Sequence, residues 1–173
     1  MTPGTTRDDR RVTKKAPTTA ATQALDRLGI AYTPHPYAHD AAVEGYGMEA
    51  ARELGVPPER VFKTLMVEAD GRLVVAVVPV SSMLDLKALA PAVGAKRATL
   101  AAPDLAERRT GYVIGGISPF GQRTRLPLVL DATAERFDTV FVSGGRRGFD
   151  IEVAPGDLLA ATGGTAAAIG VRR

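Results

Sequence analysis

The sequence predicts an α+β fold with a mixed or predominantly antiparallel sheet, on three observations. The stretch VFKTLMVEADGRLVVAVVPV, residues 61–80, is two apolar-rich arms joined by Asp70-Gly71, the strongest two-residue hairpin signal. Several short helical patterns carry their own start and stop residues. Strands and helices follow one another in mixed order, without the regular βαβ alternation that a parallel sheet requires.

The elements follow in chain order. Thr18 or Thr19 is placed to cap a helix through AATQALDRLG, closed by Gly29. IAYTPHPY reads as a strand whose two prolines confine it to an edge. MEAARELG is a short helix stopped by Gly55, and Pro57-Pro58 enforce a turn. In the hairpin, the second arm is apolar on both faces and is expected to be central. SSMLDLKALA is expected to open a helix, with Ser82 and Asp85 at capping-box spacing and Pro91 ending or kinking it. KRATLA reads as a strand and PDLAERRT as a helix with Pro103 in its first turn. LPLVLD, TVFVSGG and FDIEVA are short strands, and PGDLLAATG is a final helix.

At 173 residues the chain is long enough for one domain with a real core. Residues 1–16 read as a disordered basic tail and residues 17–173 as the single domain. There is no cysteine, which excludes a disulfide frame, a thiolate nucleophile and a thiolate metal site. No run approaches the roughly 20 apolar residues of a membrane span, and the N-terminus lacks the apolar core of a signal peptide. A reducing, cytoplasmic setting is the expectation. The net charge of +3 invites a nucleic-acid reading, but residues 1–15 hold five basic and two acidic groups, the whole of that excess. The remaining seventeen basic and seventeen acidic groups cancel. Local asymmetry says more. No acid occurs between Glu107 and Asp131, where Arg108, Arg109, Arg123 and Arg125 flank a glycine-rich run; Arg146 and Arg147 sit in a second glycine cluster, SGGRRG. Such a patch suits phosphates.

Two features carry the chemistry. Period-2 alternation puts Val61, Lys63, Leu65, Val67 and Ala69 on one strand face, so Lys63 is the only charge among apolar neighbours. It either snorkels from a strand end or faces a ligand in an apolar cleft. The run GYVIGGISPFGQ, residues 111–122, sets four glycines beside Val113, Ile114 and Ile117. Glycine there means that another segment or a ligand approaches the main chain closely. Other motifs fail. Lys63-Thr64 lacks the glycine that precedes the lysine of a P-loop, and Gly116-Ile-Ser118-Pro-Phe-Gly121 is one residue too long for a nucleophile elbow. His35, His39 and Asp40 match no recognised metal spacing. No nucleophile is advertised, and no metal or cofactor is expected.

Read together, His35-Pro-Tyr37 with His39-Asp40, GMEAARELG, Val61-Phe-Lys-Thr-Leu65, Leu84-Asp-Leu-Lys87, Thr110-Gly-Tyr112, Gly115-Gly-Ile-Ser-Pro119 with Gly121-Gln122, and Val142-Ser-Gly-Gly145 with Arg147-Gly148 occur in order. Over about residues 17–165 the chain resembles the YbaK family of free-standing Cys-tRNA(Pro) deacylases, relatives of the editing domain inserted in bacterial prolyl-tRNA synthetases. The basic tail matches nothing in that family, and Pro91 departs from its usual helical stretch. The resemblance implies a sheet partly closed into a barrel, flanked by helices, with a small cleft. It implies that the substrate's own thiol attacks its ester carbonyl, so that the protein needs no nucleophile. The catalytic set would be Lys63 with the backbone of Gly115, Gly116 and Ser118; the substrate-binding set, Tyr37, Tyr46, Thr64, Ile117, Pro119 and Ser143. Arg123, Arg125, Arg146 and Arg147 would receive acceptor-stem phosphates. The expected partners are aminoacyl-tRNA and prolyl-tRNA synthetase. The alternatives are a deacylase for another small residue, such as Ala-tRNA(Pro), that uses water, or a non-catalytic module that binds the tRNA 3′ end or a nucleotide.

Overall fold

The structure is a computed structural model that describes residues 16–42 and 45–172, so the predicted basic tail falls outside it apart from Ala16. Strands β2 (Phe62–Ala69) and β3 (Arg72–Pro79) form the predicted hairpin, in register from Phe62 opposite Pro79 to Ala69 opposite Arg72. Asp70 and Gly71 both take positive φ, 50° and 78°, the mirror-image turn that matches strand twist. Asp70 also accepts from the Lys96 and Arg97 N–H groups at 2.8 and 3.1 Å. Those two bonds draw its carboxyl below the usual range and tie the turn to β5 (Ala98–Leu100).

These strands belong to a five-stranded sheet, β5-β2-β3-β6-β9, completed by β6 (Leu128–Asp131) and β9 (Thr165–Ala167). The β2–β3 and β2–β5 pairs are antiparallel; β3–β6 and β6–β9 are parallel. As the double-sided apolar pattern predicts, β3 is central, with Val74 to Val78 at most 2% exposed. A second sheet, β1-β8-β7, joins β1 (Thr33–Pro36) at its edge to β8 (Phe149–Val153) and β7 (Val140–Arg146), all antiparallel. A single parallel bridge from Val61 to Phe141 links the two sheets. The fold is therefore α+β with mixed sheets, as expected.

Helices cover both faces. One face packs Val67, Val74, Ala76 and Val78 against Leu89 and Ala90 of α3 (Leu86–Ala92). On the other, Phe62, Met66, Val75 and Val77 share a core with Leu25 of α1 (Ala20–Leu28), Ala106 of α4 (Pro103–Thr110), Leu158 of α5 (Pro155–Thr162) and the inner face of the second sheet. The remaining helix, α2 (Tyr46–Leu54), buries Ala50 and Ala51 on Val61, Val80 and Phe141, at the junction of the two sheets. Thr19 caps α1 through a capping box with Thr22, and Gly29 closes it at φ 67°. No helix among the described residues is long and apolar enough to cross a membrane.

Two expectations need correction. Ser82 does not cap a helix: Ser82–Leu84 forms a short strand, β4, paired with β10 (Gly170–Arg172), and Asp85 alone caps α3 by accepting from the Ala88 N–H at 3.1 Å. As expected, the helix ends at Pro91 to within one residue, at Ala92, since proline has no N–H to continue the ladder. Strands β9 and β10 were not expected from TAAAIGV; neighbouring strands and Asp131, rather than local propensity, hold them. The buried Asp131 carboxylate accepts from the Ile169 and Gly170 N–H groups, each at 2.9 Å, and from Thr133.

Candidate active site

The start of β2, where the two sheets meet α2, borders a cleft of about 330 Å³. Consecutive residues from Val61 to Leu65 line it, together with Tyr37, the first turn of α2, Ile114, Gly115, Ile117, Ser143 and Asp150. Lys63 is half-buried in β2, lines the cleft and is not without an interaction partner. Next to it, the Thr64 hydroxyl is buried without a protein hydrogen-bond partner, which for a buried polar group costs about 1–3 kcal/mol until a ligand supplies one.

The second sheet contributes the acidic wall. Ser143 of β7 stands opposite Asp150 of β8, and the register slips between Ser143 and Arg146 in a bulge where the Gly145 N–H donates to the Ser143 hydroxyl. Asp150 is 6% exposed, and burial pushes its carboxyl up to about 7. Sequence reasoning missed it. In FDIEV, Asp150 and Glu152 alternate with core residues, and alternation alone does not say which of them is covered; Asp150 is buried and Glu152 is partly exposed. Glu152 bonds His35 at 2.9 Å and Arg60 at 2.9 Å outside the cleft, whereas Asp150 lines the cleft itself. Tyr37 is fixed by its N–H, which donates to the Gly148 carbonyl at 2.8 Å. Burial, followed by the Asp150 and Glu49 carboxylates, raises its hydroxyl pKa far above the ordinary value.

The glycine-rich run divides. Gly115 lines the cleft at φ 86°, and a Cβ there would stand 2.8 Å from the Tyr46 ring. Gly116 is buried against the backbone of Arg146, 2.8 Å from where its Cβ would be. The close approaches that the glycines permit are thus made by other segments of this chain. Ser118 does not reach the cleft: it is wholly buried, and its hydroxyl accepts from the Phe120 N–H at 3.3 Å. Pro119 turns to a separate groove, lined also by Leu25, Leu28 and Arg125. Tyr112 braces the run from beneath, donating to the Phe120 carbonyl at 2.5 Å.

Of the predicted site residues, then, Lys63, Tyr37, Tyr46, Thr64, Gly115, Ile117 and Ser143 share one cavity; Gly116, Ser118 and Pro119 stand behind it or away from it. The four arginines are exposed but dispersed. Arg123 reaches back to the Arg108 carbonyl, Arg125 borders the separate groove, Arg146 ends β7, and Arg147 folds over Tyr46. Among the described residues no three His, Cys, Asp or Glu side chains gather as a metal site would need. The arrangement offers a lysine, a buried carboxyl, an unsatisfied hydroxyl and two tyrosines around one space of about 330 Å³.

A model of the "Aminoacyl-tRNA editing domain" family matches residues 43–161. A protein of Enterococcus faecalis named "Putative Cys-tRNA(Pro)/Cys-tRNA(Cys) deacylase EbsC" is 40% identical over 120 residues, 69% of this chain and 73% of that one. The Escherichia coli "Multifunctional Ser/Thr-tRNA deacylase ProXp-y" is 38% identical over 73 residues, 42% of this chain and 44% of that one. The crystal structure of "a putative trans-editing enzyme for prolyl tRNA synthetase" superposes with a TM-score of 0.76 at 26% identity, covering 90% of this chain and 99% of that one.

Proposed function

Since the chain belongs to the aminoacyl-tRNA editing domain family and is an aminoacyl-tRNA editing deacylase, we propose that its substrate is cysteine mischarged onto proline tRNA. The observation that carries the reading is the shared cleft: Lys63, Gly115 and Asp150 border one space of about 330 Å³ in a chain that has no cysteine. In the proposed reaction the substrate's thiol sulfur bonds to its own ester carbonyl carbon. The bond to the tRNA 3′-terminal oxygen breaks, the thiol proton ends on that oxygen, and a cyclic thiolactone leaves. Holding a tethered thiol against its carbonyl is an orientation problem, for which roughly 7–11 kcal/mol is available. Lys63 and the Gly115 backbone would stabilise the developing oxyanion, and Asp150 would take the substrate's α-ammonium, which favours its ionised form. Exposed Arg123, Arg125 and Arg146 would meet acceptor-arm phosphates, and prolyl-tRNA synthetase would present the charged tRNA.

The orphaned Thr64 hydroxyl favours a second reading. A thiol is a poor hydrogen-bond partner, whereas a seryl or threonyl hydroxyl would satisfy Thr64, consistent with the name of the Escherichia coli relative. Water would then attack, as it would on an alanyl ester. A deacylation panel over cysteinyl, S-methylcysteinyl, alanyl, seryl and prolyl tRNA(Pro), with and without prolyl-tRNA synthetase, separates the two. The thiol mechanism requires cysteine to be fastest and S-methylcysteine to be inert; normal cleavage of the methylated substrate ends it. Lys63→Ala is expected to lower kcat by about 10²–10³ while tRNA binding stays within about twofold. Lost binding, with no turnover by the wild type, would instead mark a non-catalytic tRNA-end module.

A further inference from the structure

The β7–β8 turn, Arg146-Arg147-Gly148, touches both tyrosine walls of the cleft. Gly148 accepts the Tyr37 N–H, and Arg147 reaches Tyr46. The Arg147 guanidinium carbon lies 4.8 Å from the Tyr46 ring centroid, and its Nε donates to the Ile114 carbonyl at 2.8 Å. One side chain therefore joins three segments distant in sequence: the β7–β8 turn, the glycine-rich run and the first turn of α2. Around the same ring stand Gly115, too close for any Cβ, and the His39 imidazole, whose centroid is 5.8 Å away. His39 is itself held by the buried Glu49 at 2.6 Å, and Glu49 also accepts the Asp40 N–H at 3.2 Å.

We propose that Arg147 is a positioning residue: by clamping Tyr46 against Gly115 it sets the width of the cleft and thereby selects small acyl groups over larger ones. A guanidinium suits this task, since its planar face stacks on an aromatic ring while an edge N–H bonds a carbonyl, whereas an ammonium is a compact point charge with no flat face to stack while it donates sideways. The bond to Ile114 also fixes the carbonyl beside Gly115, so ring and loop keep their spacing together. Arg147 thus leaves the set of phosphate contacts and acts through Tyr46. The inference rests on the deacylase reading for its selectivity readout but not for its structural one.

The test compares Arg147→Lys, Arg147→Met, Tyr46→Phe and Tyr46→Ala with the wild type. The ratio of kcat/KM between the best small-acyl tRNA and prolyl-tRNA is the first measurement. Ring NMR signals of the four tyrosines and the salt dependence of binding uncharged tRNA are the others. A brace predicts that Arg147→Lys and Arg147→Met each lose about tenfold or more of the discrimination, that Tyr46→Ala matches them, and that Tyr46→Phe retains it. The Tyr46 signals shift in both Arg147 variants, and the double variant Tyr46→Ala/Arg147→Met is no worse than either single change. A phosphate contact predicts the opposite: Arg147→Lys behaves as wild type, Arg147→Met lowers the log–log salt slope by about 1, and discrimination and tyrosine signals stay put. That result overturns the proposal. If the wild type cleaves nothing in the panel, the deacylase reading falls alone, and the Tyr46 signals decide the brace.

Discussion

At the scale of single residues, Asp150 and Gly115 show how burial turns ordinary chemistry into something testable. Burial holds the Asp150 carboxyl up at about 7, so the folded protein keeps a proton that the unfolded chain gives up near pH 4. Stability from this group is whole below about pH 4 and is lost as pH rises through about 7. Asp150→Asn, uncharged and of equal shape, is expected to match the wild type in urea melts at pH 4 and to exceed it at pH 8 by up to about 4 kcal/mol. The same variant should lose any inflection near 7 in the deacylation pH profile; an unchanged profile would remove Asp150 from the chemistry. Gly115→Ala makes a different forecast. The left-handed φ of 86° costs a side chain about 1–2 kcal/mol, and its methyl would displace the Tyr46 ring. Reduced thermal stability together with broadened acyl selectivity is the expected outcome, read by a melt and the substrate panel.

At the scale of elements, the C-terminal strands depend on one buried carboxylate. Asp131 accepts from two backbone N–H groups just before and within β10 and from Thr133, and its neighbours in β6 are covered on both sides. Asp131→Ala leaves those donors buried and unpaired, at a cost of about 2–4 kcal/mol summed over the lost bonds. Denaturant melts measure that loss, and hydrogen exchange should show it concentrated at Ile169 and Gly170. This is also where the sequence was hardest to read. TAAAIGV lacks strong alternation, and alanine and glycine separate its three β-branched residues, so its strand state comes from partners far along the chain. Ser82 misled for a related reason: the capping-box spacing was present, but pairing with β10 claimed Ser82–Leu84 first and left Asp85 to cap alone.

At the scale of the whole molecule, net charge is unevenly spread along the sequence. The balanced seventeen and seventeen beyond residue 15 mean that excess positive charge enters with the first fifteen residues. Deleting residues 2–15 is expected to lower the salt slope of tRNA binding by about 2–3. An unchanged slope would show that these cations do not meet phosphate.

The sequence by itself determined the hairpin, the central strand, the helix stop at Gly29 and a cap at Thr18 or Thr19, and it set Lys63 as a lone charge on an apolar strand face, because turn chemistry and period-2 alternation are local signals. It also indicated, through ordered short motifs, a family of editing domains. Only the tertiary structure decided that Asp150 lines the cleft while Glu152 does not, that Gly116, Ser118 and Pro119 stand outside it, and that Arg147 lies on Tyr46. Each of those outcomes turns on which distant segment covers a residue, and neither spacing nor residue type encodes what will pack above a given face.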